Sequence, residues 1–341
     1  MIHVDKNISI KEFTTFRLEC IASHFVSVSS VSQLIEALEY AKKEHLTIYV
    51  LGGGSNILFS KPSFEGLIIK MDITGHQIEK ETDTAVLVDV GAGESWDLFV
   101  ENMVNSGYRG VEALSFIPGT VGATPVQNVG AYGVEVKDVI DSVKVYNTDT
   151  ASIEVLKNED CLFSYRDSIF KKDIGKKYII LSVLFLLEKN KKGNIPKYPG
   201  VINYFEPDQQ EALLEKIREV IITIRTQKLP HPKVISSCGS FFKNPIITKN
   251  QRDAILATHP QAVLYDVGDE MYKIGAGWLI DTAGLKGKDF GTISIYPHNA
   301  LVVVNTHNNA TYEELQNAVE YIQTEIYKLF GITLEMEPII I

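Results

Sequence analysis

The sequence predicts an α+β chain in two parts, an N-terminal module over 1–228 and a C-terminal domain over 229–341. Three observations predict it. Short β-branched runs punctuated by glycine fill the first 190 residues or so. Leu229-Pro230-His231-Pro232 then breaks the chain, because proline and the residue before it resist helix. Beyond the break, strands and helices alternate to the end.

The elements follow in order. Thr47–Leu51, Gly66–Met71, Ala85–Val90, Ile140–Tyr146 and Ile179–Leu187 read as strands. Helices are expected over Ser32–His45 and Ser95–Ser106, the second closed by Gly107. Lys189–Pro199, polar and rich in Lys, Gly and Pro, reads as a loop. Asp208 with Glu211 makes a capping-box pattern for a helix running to about Arg225. Over Thr311–Phe330 the cap pair Thr311 and Glu314 precedes an apolar stripe of Leu315, Ala318, Ile322, Ile326 and Leu329, and Gly331 ends the helix. A closing strand is expected over Ile332–Ile341. It puts Thr333, Glu335 and Glu337 on one face and Ile332, Leu334 and Met336 on the other.

Composition narrows the function. The 341 residues are 45% hydrophobic and 22% charged, the proportions of an ordinary globular protein. A net charge of −10 argues against a general nucleic-acid binder, which needs a basic surface. Cys20, Cys161 and Cys238 have no metal-ligand or redox spacing, which suits a reducing compartment. The first residues, Met1 to Lys6, hold no apolar signal region. Tyr178–Leu187 is about half the length that a membrane span needs. A cytoplasmic protein with no membrane or nucleic-acid partner is expected.

Gly52-Gly53-Gly54-Ser55-Asn56 follows the strand at 47–51. It is either a tight turn or a cradle in which backbone N–H groups approach an anion closely. No Gly-Lys-Ser/Thr follows, so it is not a nucleotide-triphosphate loop. Gly91-Ala92-Gly93 and Gly275-Ala276-Gly277 start a dinucleotide fingerprint. Trp96 and Ile280 fill the third glycine position, and both segments read as turns. Ile117–Gly133 combines small residues, which leave room for a flat or phosphorylated ligand, with the amide pair Gln127-Asn128.

Gly52–Asn56, Ile117–Gly133, Tyr165-Arg166-Asp167-Ser168 and Gly239-Ser240-Phe241-Phe242-Lys243-Asn244-Pro245 occur in that order. Together they resemble the UDP-N-acetylenolpyruvoylglucosamine reductase family of peptidoglycan precursor synthesis, over nearly the whole chain. The resemblance implies a two-subdomain FAD-binding module of the vanillyl-alcohol-oxidase type, followed by an α+β substrate-binding domain. The glycine loop has no tethering histidine, so non-covalent FAD is expected, with NADPH as co-substrate and no metal. Flavin contacts are implied for Gly52, Gly53, Gly54, Ser55 and Asn56. They are implied also for Pro118, Gly119, Gly122, Ala123, Gln127, Asn128, Gly130 and Ala131. A monomer is expected.

The same resemblance assigns three catalytic roles. Ser240 matches the proton donor, Arg166 the arginine that stabilises the enolate, and Glu337 the acidic residue near the end. UDP-N-acetylenolpyruvylglucosamine contacts are implied for Tyr132, Lys228, Asn244, Asn299 and a loop tyrosine, Tyr198 or its rival Tyr204. The 189–205 stretch resembles the lid loop of the longer subgroup. Two positions depart from the pattern. Thr14 stands where asparagine is common, and Asn299 where glutamine is usual. Two alternatives stay open: another FAD oxidoreductase acting on a sugar or alcohol, and a catalytically silent binder of flavin or sugar nucleotide.

Overall fold

The computed structural model describes residues 2–231 and 234–341. Met1 and Pro232, which the sequence reading used, lie outside them, as does Lys233. The chain forms two compact units. The first is 1–8, 22–53 and 64–225; the second is 9–21, 54–63 and 226–341. The single cut expected after 228 thus falls near one crossing. It misses the two short N-terminal segments that fold with the C-terminal part.

In the first unit, a four-stranded sheet runs in the order Asp5–Ser9, Ile21–Val28, Ser63–Met71, Thr47–Leu51. The last two strands are parallel, with Thr47 opposite Gly66 and Leu51 opposite Lys70. The crossover between Ile21–Val28 and Thr47–Leu51 is the helix Val31–Lys43, capped by the Ser30 hydroxyl, which accepts from Gln33 N–H. A larger antiparallel sheet runs Ser152–Lys157, Ile140–Asn147, Tyr178–Lys189, Ala85–Gly91, His76–Glu81. Alternation gives its strands an apolar face, with Val86, Val88, Val90, Val143, Val183 and Phe185 all buried. The helix Trp96–Asn105 supplies Trp96 and Phe99 to this core. The Phe99 and Phe185 rings lie 4.9 Å apart, and Trp96 Nε1 donates to Leu114 O at 2.9 Å. A buried indole N–H without that acceptor would be costly.

In the second unit, a three-stranded sheet runs Ser236–Ser240, Val302–Asn305, Ile293–Ile295. A second runs Ile246–Thr248, Met271–Ile274, Leu264–Gly268. The helix Tyr312–Phe330 has the expected box between Thr311 and Glu314, and Gly331 ends it at φ 64°. Leu329, expected on the apolar stripe, is 60% exposed; Val319 is buried instead. Phe16, Leu18 and Leu58 join this unit's core.

Four other expectations are corrected. Asp208 has φ 65°, a left-handed conformation that an N-cap does not use. Glu211–Leu213 is a strand paired with Lys192–Asn194, and the helix starts at Leu214. The expected loop at 189–199 therefore carries one strand of a hairpin, and the short helix Pro199–Ile202 follows. Gly275-Ala276-Gly277 opens the helix Ala276–Thr282 rather than a turn. The closing strand is confined to Ile339–Ile340, because Pro338 has no N–H to donate to a ladder. Among the described residues, no helix is long and apolar enough to cross a membrane. All three cysteines are buried.

Candidate active site

The strand Thr47–Leu51 delivers the chain into the glycine turn. A Cβ at Gly52 would stand 2.7 Å from Thr120 Oγ1, and one at Gly53 would stand 2.7 Å from Gly119 Cα. Two loops distant in sequence thus meet backbone to backbone, which only residues lacking a Cβ permit. Thr120 is 7% exposed, and its Oγ1 is buried with no hydrogen-bond partner in the chain. A buried hydroxyl left unsatisfied costs about 1–3 kcal/mol, so an acceptor from outside the chain would offset that cost. Thr120 was not among the expected contacts. Its signal was faint, a lone hydroxyl between Gly119 and Val121.

The segment 117–133 is bracketed from within the first unit. Asn128 is fully buried at φ 45°, with Nδ2 donating to Glu135 Oε2 at 2.9 Å and to Ser164 O at 3.0 Å. Its Oδ1 accepts from Lys137 N–H at 3.1 Å. The Asn128 amide therefore holds the loop, rather than reaching out from it. Gln127 is half-buried beside it.

The Tyr165–Ser168 motif closes on the same segment. Ser164 and Asp167 pair across a tight turn, and Arg166 sits in it at φ 55°. Arg166 Nη2 donates to Gly130 O at 2.8 Å, and the guanidinium lies 5.4 Å from the Tyr165 ring centre. The Ser168 hydroxyl donates to Val126 O at 2.6 Å. Arg166, Gly130, Ala131 and Tyr132 are thereby gathered at one place.

Tyr132 joins a further group. Its ring meets Tyr198 edge-on at 5.4 Å, and Tyr198 precedes Pro199 at the start of the short helix. Arg225 Nε donates to Phe116 O at 3.0 Å. Burial pushes the Arg225 guanidinium below the usual arginine range, against the pull of a hydrogen-bonded Tyr132. Burial likewise raises the Tyr132 phenol. Sequence reasoning saw Arg225 only as the approximate end of a helix. Tyr204 is 44% exposed.

In the second unit, Gly239 at φ 73° makes a bulge that ends the strand at Ser240, opposite Val302. Glu337 N–H donates to Phe241 O at 2.9 Å, so Ser240 and Glu337 lie on paired segments. Glu337 is 9% exposed, whereas the Glu335 side chain is 73% exposed and pairs with Lys243. Alternation alone had put both glutamates on one face. Ser55 and Asn56 belong to this unit too, and Asn56 Nδ2 donates to Glu337 O at 3.3 Å. Asn244 Oδ1 accepts from Ala276 N–H at 3.0 Å, capping that helix. Asn299 Oδ1 accepts from Leu301 N–H at 3.1 Å inside a turn. Lys228 is exposed at the end of the helix Leu214–Lys228.

Known proteins share this plan. The FAD binding domain family matches residues 22–155. A VAO-type flavoprotein from Myceliophthora thermophila shares the fold at TM-score 0.51 and 14% identity, over 94% of this chain and 73% of that one. Fold and the FAD binding domain match define a flavoprotein, with the fold that the VAO-type protein also has. The match continues beyond that module: residues 230–341 fit the UDP-N-acetylenolpyruvoylglucosamine reductase C-terminal domain. A UDP-N-acetylenolpyruvoylglucosamine reductase of Flavobacterium johnsoniae is 39% identical over 98% of this chain and 99% of its own. One of Bdellovibrio bacteriovorus is 38% identical over 99% of each. The crystal structure of the Thermus caldophilus reductase superposes at TM-score 0.68 and 22% identity, over 100% of this chain and 99% of that one. The chain belongs to the UDP-N-acetylenolpyruvoylglucosamine reductase family.

Proposed function

We propose that this protein is an FAD-dependent reductase of UDP-N-acetylenolpyruvoylglucosamine, with NADPH as the electron donor. The carrying observation is the glycine cleft with its unsatisfied Thr120 hydroxyl, in a chain similar to such reductases from end to end. The residues fit the flavin: Gly52 and Gly53 let the glycine turn close onto the 119–120 loop, and the buried Thr120 hydroxyl there offers a donor. No histidine lies within 52–60 to tether it covalently.

Bound FAD would supply the hydride chemistry that links NADPH to C3 of the enolpyruvyl group. The chain supplies position and field. Arg166, oriented by Gly130 O, sets positive charge against the developing enolate, where preorganised donors do most. Glu337, which is buried, shares that task. Ser240 Oγ gives the proton to C2, which completes the lactyl ether. Tyr198, exposed beside Tyr132, closes over the nucleotide, with Lys228 and Asn244 on its phosphates.

The test is spectroscopic. Purified protein should be yellow, release intact FAD on mild denaturation, bleach with NADPH, and recover its colour when the enolpyruvyl sugar nucleotide is added. Colour that returns only with oxygen, accompanied by hydrogen peroxide, would make it an oxidase instead.

A further inference from the structure

Glu337 stands where the last segment changes partners. Up to that point it follows residues 241–243: Lys243 N–H donates to Glu335 O and Glu337 N–H to Phe241 O, each at 2.9 Å. Afterwards it follows residues 56–60. Ile339 N–H donates to Asn56 O and Ile341 N–H to Leu58 O, again at 2.9 Å, with Ile339 and Ile340 in parallel register on Ile57 and Leu58. Pro338 occupies the changeover. It contributes no N–H and biases Glu337 toward extended backbone. At this joint a side chain reaches the Glu337 carbonyl: Asn56 Nδ2 donates to it at 3.3 Å.

We propose that Asn56 is a positioning residue for Glu337, in addition to any contact that it makes with the cofactor. Its main-chain carbonyl holds Ile339 and its amide holds Glu337, so it grips the joint on both sides of Pro338. Through Phe241 O the same network fixes Glu337 relative to Ser240. Asn56 closes the glycine turn, so the end of that turn and the two proton-handling residues share one hydrogen-bonded frame. The proposal rests on the reading that Glu337 acts on the substrate. A displacement of about 1 Å at such a group is enough to slow a reaction some 10²-fold.

The test is a double-mutant cycle on flavin reoxidation by the enolpyruvyl sugar nucleotide, measured after NADPH reduction with FAD saturating. Asn56→Ala should slow reoxidation by about 10²-fold in the wild-type background and make no further difference in Glu337→Ala. An equal factor in both backgrounds overturns the proposal and leaves the Glu337 reading intact. If Glu337→Ala alone is as fast as wild type, the Glu337 reading falls and takes this proposal with it. Asn56→Asp keeps the size but loses the donor, and it should be as slow as Asn56→Ala; wild-type speed there overturns the donor role. It also serves if Asn56→Ala folds poorly. A readout independent of turnover is amide hydrogen exchange in the purified protein. Asn56→Ala should speed exchange in the peptide covering 335–341 and leave the helix at 312–330 unchanged. Unchanged exchange at 335–341 overturns the proposal.

Discussion

Ser240 is delivered by a bulge at Gly239 and held on one side by Val302. It is a hydroxyl on a fixed strand end, which suits a proton donor. Ser240→Ala should leave NADPH reduction of the flavin near wild type and slow reoxidation by about 10²-fold or more, the usual scale of lost general acid help. Stopped-flow absorbance separates the two steps, and equal slowing of both would refute the assignment. Glu337 calls for a different pair of variants. A neutral acid donates a hydrogen bond, and so does an amide. Glu337→Gln should therefore keep appreciable activity, while Glu337→Asp, with shorter reach, should do worse. The reverse order in single-turnover reoxidation would show Glu337 acting as an anion. Residue identity was legible here only through the motif context. Burial distinguishes Glu337 from Glu335, and the backbone of Glu337 is held by Asn56 and Phe241, neither of them near in sequence.

At the scale of elements, the helix Tyr312–Phe330 was legible almost to the residue, because cap and stripe are local signals. The segment 189–213 was not. Its hairpin of Lys192–Asn194 and Glu211–Leu213 contains no β-branched residue to signal a strand, and its reason lies elsewhere. Gly193 passes so close to the Glu112 carboxylate that any Cβ would collide with Oε1. Glu112 is 7% exposed, and its Oε2 accepts from Gly110 N–H at 2.6 Å. Burial holds this carboxyl above the usual glutamate range, against opposing pulls from the Gly110 N–H and from Arg109. Ionisation therefore opposes folding: the contribution is favourable below about pH 4, the unfolded value, and is lost as pH rises through the raised folded value. Glu112→Gln keeps an acceptor for Gly110 and removes the titration. Its melting temperature should gain on wild type as pH rises from about 4 to 7. A gap that shrinks over that range would show that the charged form is the favoured one.

At the scale of the whole molecule, the order of functional segments was legible and the weave of the chain was not. No pattern in Phe16, Leu18 or Leu58 says that they are buried with the last third of the sequence, yet all three lie in the second unit's core. A fragment of residues 226–341 alone should not fold cooperatively, since it lacks those side chains and the strand that pairs with Ile339–Ile340. Circular dichroism melting checks this; a sharp transition in the fragment would show that its core is complete without them. Phe16→Ala in the full chain should cost about 3–5 kcal/mol, the usual range for a buried aromatic ring.

The weave also bears on how the protein is made. Residues 9–21 and 54–63 leave the ribosome early, but their partners at 226–341 emerge last. For most of synthesis Phe16 and Leu58 have nowhere to go, and the Gly54–Asn56 end of the glycine turn waits with them. Contacts of such long sequence separation form slowly, and exposed apolar surface invites association in the meantime. The Gly54–Asn56 end of the turn is thus one of the last features a newborn chain can complete, later than the Gly52–Gly53 end, whose partners at 119–120 emerge midway through synthesis.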